Sequence, residues 1–368
     1  MAERDPSSDL APQGHLLTQG EKGAEIIDRI ELKFRECELD TMTSTERPIR
    51  LNRSQLSVPG SQRRFLEKAA LCAADIVMLD LEDSVAIPDK PAARETVIAA
   101  LHELDWGSKT VSVRVNALDT PFMYRDLIEV AERGGDRLDL IMVPKINTAA
   151  DVHVVDTLLS QIEAATGRKR LGLELQIETA QGLQNVDAIA AACPRVESLH
   201  FGPGDFAASI GARSTSIGGP VPDYAILGDP DAQGNRALYL GDAWHYALAR
   251  IVVACRAAGI RPVDGPYGDF KDAEGLERGA RRSAAMGFEG KWAIHPDQIA
   301  TLNAAFAPSD AEVAHARRML EALGADAKGG AVVLDGRMID LASVRQAQVL
   351  VEKARRITAT NNRNQTPH

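Results

Sequence analysis

The sequence predicts an α/β protein built as a TIM (β/α)8 barrel with a C-terminal lid segment. Eight short apolar runs alternate with helix-period segments from about residue 49 onward. Such alternation implies parallel strand pairing, and eight units is the number that closes a barrel. Several runs end in charged residues, where barrel enzymes carry their chemistry. No run is followed by G-x-G-x-x-G, so the dinucleotide-binding form of the competing open doubly wound sheet has no support.

Taken in order, residues 1–45 differ from the remainder. They open on a polar, loop-forming stretch expected to be mobile, followed by AEIIDRIELKFRECELD, which suits a short amphipathic helix. This is read as an N-terminal extension, ahead of a catalytic barrel over 46–308 and a helical lid over 309–368. The barrel strands are expected in IRLNRSQLSV, DIVMLDLEDSV, TVSVRVNAL, LDLIMVPKI, the stretch ending at Glu178, the stretch ending at Asp205, IRPVDGPYGD and EGKWAIHP. One helix is expected between the fifth and sixth strands. The insertion from about Ala212 to Asp242, rich in Gly, Pro and Asp, reads as a long loop without structure of its own, a usual form for lids. After the eighth unit come the helix DAEVAHARRMLEAL, a glycine-rich hinge GADAKGGA, a strand-like VVLDGRMID and a final helix, together a movable or swapped element.

Composition narrows the function. A chain of 368 residues with 45% hydrophobic content can bury a sizeable core. A net charge of −10 argues against nucleic acid as a partner. No apolar run approaches the roughly 18 residues that span a bilayer, so no membrane role is expected. Cys37, Cys72, Cys193 and Cys255 form no CxxC pair, so neither a zinc ribbon nor a disulfide framework is indicated. A reducing cytoplasm is the expected compartment.

The strand ends supply Asp80, Glu82, Asp83, Arg114, Asn116, Lys145, Glu178, Asp205, Asp264, Lys291 and His295. Glu178 and Asp205 follow apolar strands that one crossover helix places side by side, so they can share a divalent cation. Oxygen ligands without a Cys or His cluster suit Mg²⁺ or Mn²⁺. The competing role is a helix cap for either carboxylate. Arg114 on VSVRVN is either a stabiliser of an enolate or oxyanion or one half of a buried ion pair with Asp80, Glu82 or Asp83. Lys145 reads as a supporting cation in preference to a Schiff-base nucleophile. His295 either contacts a ligand through its backbone or packs structurally. GFEGK is no phosphate loop, because Ala285 and Trp292 stand where Gly and Ser or Thr are required. Asp340, in DGRMID, reads on its own as a surface carboxylate.

Seven motifs in order, LDLEDSV, SVRVNALDTPF, IMVPKI, ELQIETAQG, FGPGDFAASIG, VDGPYGDF and GKWAIHP, resemble those of the citrate lyase β-subunit-like (HpcH/HpaI aldolase) superfamily, and within it the malyl-CoA lyases. The resemblance runs from about Asn52 to the final helix. It implies a barrel with a lid over a neighbouring subunit's site in a homotrimer or homohexamer. It implies Mg²⁺ or Mn²⁺ on Glu178 and Asp205, Arg114 on a thioester enolate, and Asp340 as an acid/base given across the interface. The implied substrates are coenzyme A thioesters: L-malyl-CoA, cleaved to acetyl-CoA and glyoxylate, and β-methylmalyl-CoA, cleaved to propionyl-CoA and glyoxylate. Gly204, Asp205, Ile294 and His295 match substrate-contacting positions. In the coenzyme A segment Lys68 is retained, whereas Ser57 and Gln62 stand where close relatives have Phe and Arg, with Arg63 and Arg64 as candidate replacements. Relatives that hydrolyse the thioester, or take citramalyl- or citryl-CoA, share the metal pair. A non-catalytic subunit that binds CoA esters would have no need of Glu178, Asp205, Arg114 and Asp340 together.

Overall fold

The computed structural model describes residues 48–325, Thr215 excepted, and 331–365. The expected extension over 1–45 with its amphipathic helix and Cys37, and most of the expected hinge, lie outside the described residues. The chain divides into two compact units. One takes in the barrel up to Ala307 and the chain from Arg356; the other takes in Pro308–Arg355.

The barrel closes from eight parallel strands, β1 (Ser54–Pro59), β2 (Ile76–Asp80), β3 (Thr110–Arg114), β4 (Leu140–Val143), β5 (Gly172–Ile177), β6 (Val196–Phe201), β9 (Arg261–Asp264) and β10 (Gly290–Ala293), with β10 pairing back onto β1. Between β6 and β9 lies an antiparallel hairpin, β7 (Ala225–Pro230) and β8 (Arg236–Leu240). The insertion therefore has structure of its own, contrary to expectation. Its tight turn is held by Asp231, whose carboxylate accepts the backbone N–H groups of Gln233 and Asn235.

Alternate strand residues face outward into one continuous apolar layer beneath the helices, with Leu79, Val113, Ile141, Leu175 and Leu199 fully buried. The inward face is different. Its apolar part is a small plug of Met78, Met142, Val263 and Trp292, with Ile76 and Leu140 in the same inward register, and much of the rest is polar. Register places Asp80 beside Arg114 in the β2–β3 ladder, both near the C-terminal ends of their strands.

Two further expectations are corrected. The helix between β5 and β6 is two short helices, Ala180–Gln184 and Val186–Ala190, broken at Asn185, whose side-chain amide donates to the carbonyl of Asn147. Asp205 does not end a strand. β6 stops at Phe201, and Asp205 lies in the first turn of the helix Pro203–Ser209, started by Pro203, whose fixed φ favours a helix's first position.

In the other unit the helix Asp310–Ala325 precedes a hairpin, β11 (Ala331–Leu334) and β12 (Arg337–Asp340), and the helix Leu341–Gln365 follows, belonging to this unit as far as Arg355. Asp335 and Gly336 both take left-handed backbone, as a two-residue hairpin turn requires. Ala316, Leu320, Ile339, Val344 and Ala347 form a small core. No helix among the described residues is long and apolar enough to cross a membrane.

Candidate active site at the barrel mouth

Arg114 is the centre of the mouth. Its Nε and Nη2 donate to the two oxygens of Asp80, each at 2.7 Å, and its Nη1 lies 2.8 Å from Glu82. The ion-pair role is therefore real. Burial works against the Asp80 carboxylate, yet the Arg114 guanidinium outweighs it and holds its pKa below the ordinary value. The same carboxylate accepts the N–H groups of Glu82 and Ser84, which pins the loop after β2. From the far side, the buried Lys90 ammonium donates to the carbonyls of Leu81 and Glu82. One N–H of Arg114 Nη2 is left without an acceptor among the described residues, so the ion pair does not exhaust the guanidinium.

Glu178 follows β5 and is fully buried. It accepts the Lys145 backbone N–H at 2.8 Å and the Gln176 amide at 2.5 Å. Lys145 presents that N–H from left-handed backbone (φ 51°), an uncommon conformation outside glycine that tends to occur at functional positions. Burial pushes the Glu178 carboxyl well above its ordinary pKa, and the neighbouring charges of Glu82 and Asp205 push it further. Gly202 is required here, because a Cβ at this position would overlap the Glu178 side chain. Asp205, half exposed, points to the same place, with the Lys145 ammonium 3.7 Å away. Lys145 also pairs with Glu82 at 2.5 Å. It is thus a supporting cation, committed to carboxylates, and its pKa is raised once their pull has outweighed the effect of burial.

The mouth carries an excess of negative charge. Asp80, Glu82, Asp83, Glu178 and Asp205 face Arg114 and Lys145. Among the described residues no group of three or more His, Cys, Asp or Glu is placed to hold an ion. Two carboxylates at an anionic, partly buried mouth fit Mg²⁺ or Mn²⁺, which keeps waters and substrate oxygens in most of its octahedron.

Of the other sequence candidates, Gly204 lies one residue before Asp205 and opens onto free space, with only Ile217 within 4 Å of where a Cβ would stand. Ile294 follows β10, 41% exposed, and its N–H is held by the Gln298 side chain, which the His295 N–H also approaches. The His295 ring stacks on Phe270. Ser57 is near the mouth end of β1. Gln62 stands at the N-cap position of the helix Arg63–Ala70 without a side-chain cap bond, whereas Lys68 is exposed in its last turn, away from the mouth. Arg63 is occupied by Glu67 and Glu103. Asp340 ends β12, and its carboxylate accepts the Ser343 N–H and hydroxyl, both at 2.9 Å, which hold its pKa below the usual value. Gln176 and Lys90 escaped the sequence reading. The signal for Gln176 was present: a polar residue every second position of the apolar run LELQIE.

Fold and mouth together define a barrel enzyme with an acidic, cation-ready centre. Residues 53–296 match the family described as HpcH/HpaI aldolase/citrate lyase, and the chain belongs to that family. It is an enzyme of the carbon–carbon lyase class. It is 52% identical over 315 residues to the L-malyl-CoA/β-methylmalyl-CoA lyase of Rhodobacter capsulatus, covering 85% of this chain and 97% of that one. It is 39% identical over 285 residues to the malyl-CoA/β-methylmalyl-CoA/citramalyl-CoA lyase of Chloroflexus aurantiacus, covering 77% and 81%. Among solved structures, CitE from Mycobacterium tuberculosis, in complex with magnesium, acetoacetate and coenzyme A, superposes with a TM-score of 0.63 at 30% identity, covering 83% of this chain and 98% of that one.

Proposed function

We propose that the chain is a metal-dependent lyase that reversibly cleaves L-malyl-CoA to acetyl-CoA and glyoxylate, and β-methylmalyl-CoA to propionyl-CoA and glyoxylate. The observation that carries this reading is the meeting, at one barrel mouth, of Glu178 and Asp205 with an Arg114 that retains a free N–H. Glu178 and Asp205 hold Mg²⁺ or Mn²⁺, which when bound supplies positive charge that polarises the glyoxylate carbonyl. Asp80 and Glu82 fix the guanidinium plane of Arg114, and its free N–H stabilises the thioester enolate oxygen. Gly204 leaves room for the small substrate, and the backbone around Ile294 and His295 lines its other side. Ser57 and Gln62, at the mouth end of β1 and the start of the helix after it, are the residues that would meet the coenzyme A moiety, with Lys68 farther from the mouth.

The base that takes the α-proton of acetyl-CoA is Asp340, from the lid of a neighbouring subunit in a trimer or hexamer. The Ser343 N–H and hydroxyl hold the Asp340 carboxylate in a fixed orientation, which supports this role. The three free cysteines of the described chain, two of them buried, support a reducing cytoplasm.

The test is to incubate the protein with Mg²⁺, glyoxylate and acetyl-CoA or propionyl-CoA and follow the products by mass. Condensation to the C4 or C5 acyl-CoA is expected, with cleavage when malyl-CoA is supplied; the absence of both reactions would overturn the reading. Hydrolysis to free coenzyme A in the same assay would identify a thioesterase instead. Mixed oligomers of Arg114→Ala and Asp340→Ala subunits, each inactive alone, should regain activity, and no recovery in demonstrably mixed oligomers would overturn the donation of Asp340 across the interface.

A further inference from the structure

Below the mouth, the barrel interior is polar where branched aliphatic side chains usually fill such barrels. Gln55, Ser112, Glu174, Ser198 and His200 are all fully buried there, beside Trp292 at 3% exposure. Glu174 Oε2 accepts the Ser112 hydroxyl at 2.6 Å and the Gln55 amide at 2.9 Å, and its Oε1 lies 3.4 Å from His200 Nε2. His200 Nε2 is 2.8 Å from the Ser198 hydroxyl. On the other side of the imidazole, the Trp292 indole N–H donates to Nδ1 at 2.8 Å. An indole nitrogen is a donor only, so Nδ1 is the acceptor and the neutral ring carries its proton on Nε2. Above, the Arg114 guanidinium carbon lies 5.5 Å from the centroid of the Trp292 ring, within cation–π range.

A buried carboxylate and imidazole are costly to desolvate, and apolar side chains would fill the space at less cost. What the polar set achieves is orientation. We infer that His200 and Trp292 are positioning residues for the reaction: the His200–Trp292 hydrogen bond locks the indole face on which Arg114 rests, and so aims the guanidinium at the enolate. This deepens the proposed function and rests on the role given there to Arg114.

Three variants separate the parts. His200→Asn keeps an acceptor close to the position of Nδ1, His200→Leu removes it, and Trp292→Phe keeps an aromatic face but removes the donor. All are assayed as intact oligomers well below their melting temperatures. His200→Leu and Trp292→Phe should each lower kcat about tenfold, roughly 1.4 kcal/mol, with KM for the thioester and Kd for Mn²⁺ within about twofold. The double variant should be no slower than either single one, and His200→Asn should recover most of kcat. A packing role alone would lower Tm and leave kcat of the folded enzyme untouched. Unchanged kcat in the two single variants, additive losses, or an Asn variant as slow as Leu would overturn the inference.

A second readout needs no activity. With ¹⁵N-labelled tryptophan, the Trp292 indole resonance, assigned from its loss in Trp292→Phe, should move upfield in His200→Leu and stay in place in His200→Asn. An unmoved resonance in His200→Leu overturns the chain of contacts itself. An inactive wild type with the expected resonance shifts overturns the lyase reading, and with it the catalytic half of the inference.

Discussion

Around the N-terminal rim of the barrel, Arg53 grips Asp75 at 2.7 Å, and Arg50 and Arg261 share Glu197. Arg195 closes on Asp156 and Glu163, while Lys169 takes Asp139. Acid and base match partner for partner. Around the C-terminal rim, Asp80, Glu82, Asp83, Glu178 and Asp205 meet Arg114 and Lys145 among the described residues, and the sum stays negative. Both rims use the same side-chain types. The first pairs these charges with one another. The second holds carboxylates together against their repulsion, as a centre that admits a cation would.

The sharpest way to break this comparison is to neutralise the second rim. Glu178→Gln or Asp205→Asn should each lower kcat about 10³-fold or more, the scale of several kcal/mol of lost metal-derived stabilisation, and abolish Mn²⁺ binding in a titration. Without metal, Glu178→Gln should melt at or above the wild-type temperature, because a repelled buried charge has been removed. A fall in Tm together with retained Mn²⁺ binding would make this rim structural like the first.

The opposite change belongs to the first rim. Arg53→Ala strands the buried Asp75 carboxylate and should cost about 3 kcal/mol of stability in denaturant unfolding, with kcat of the folded enzyme unchanged. A kinetic loss without destabilisation would mean that the two rims are not functionally distinct.

The smallest effect is one of pH. The Glu178 pKa is raised in the fold, so protons favour the folded metal-free protein. That contribution is fully present below the ordinary carboxylate range and is lost as pH rises through the raised pKa. Metal runs the other way. Below that pKa, Mn²⁺ affinity should fall about tenfold per pH unit, since binding must displace one proton. Affinity that is flat with pH in a calorimetric titration would show that Glu178 is not the ligand that titrates.

The barrel was legible because its outer layer alternates apolar residues with strand period and its helices repeat with helix period. The ends of β3 and β5 followed directly, and Arg114 and Glu178 with them. Asp205 was placed on the correct rim but in the wrong element, because in FGPGD the apolar run gives no sign of where pairing stops; Pro203 decides it. The hairpin of the insertion was hidden by its own surroundings. Both faces of Arg236–Leu240 are exposed, and its strand alternation is buried in Gly, Pro and Asp. The polar interior was written in plain sight as VESLHF and GLELQI. Reading it required knowing which places of this barrel face inward, and register across distant strands supplies that. Lys145 lay beyond sequence reading altogether, since nothing in VPKI announces left-handed backbone.

Gly202 carries a consequence for anyone who diversifies this enzyme. Selection on a saturation library of the mouth would be expected to tolerate many exchanges among residues that merely border the substrate. Position 202 has no side chain to lose, yet even alanine there would intrude on Glu178. The most constrained site in such a library would be one contributing no functional group at all: a vacancy in which a neighbouring carboxylate can stand upright.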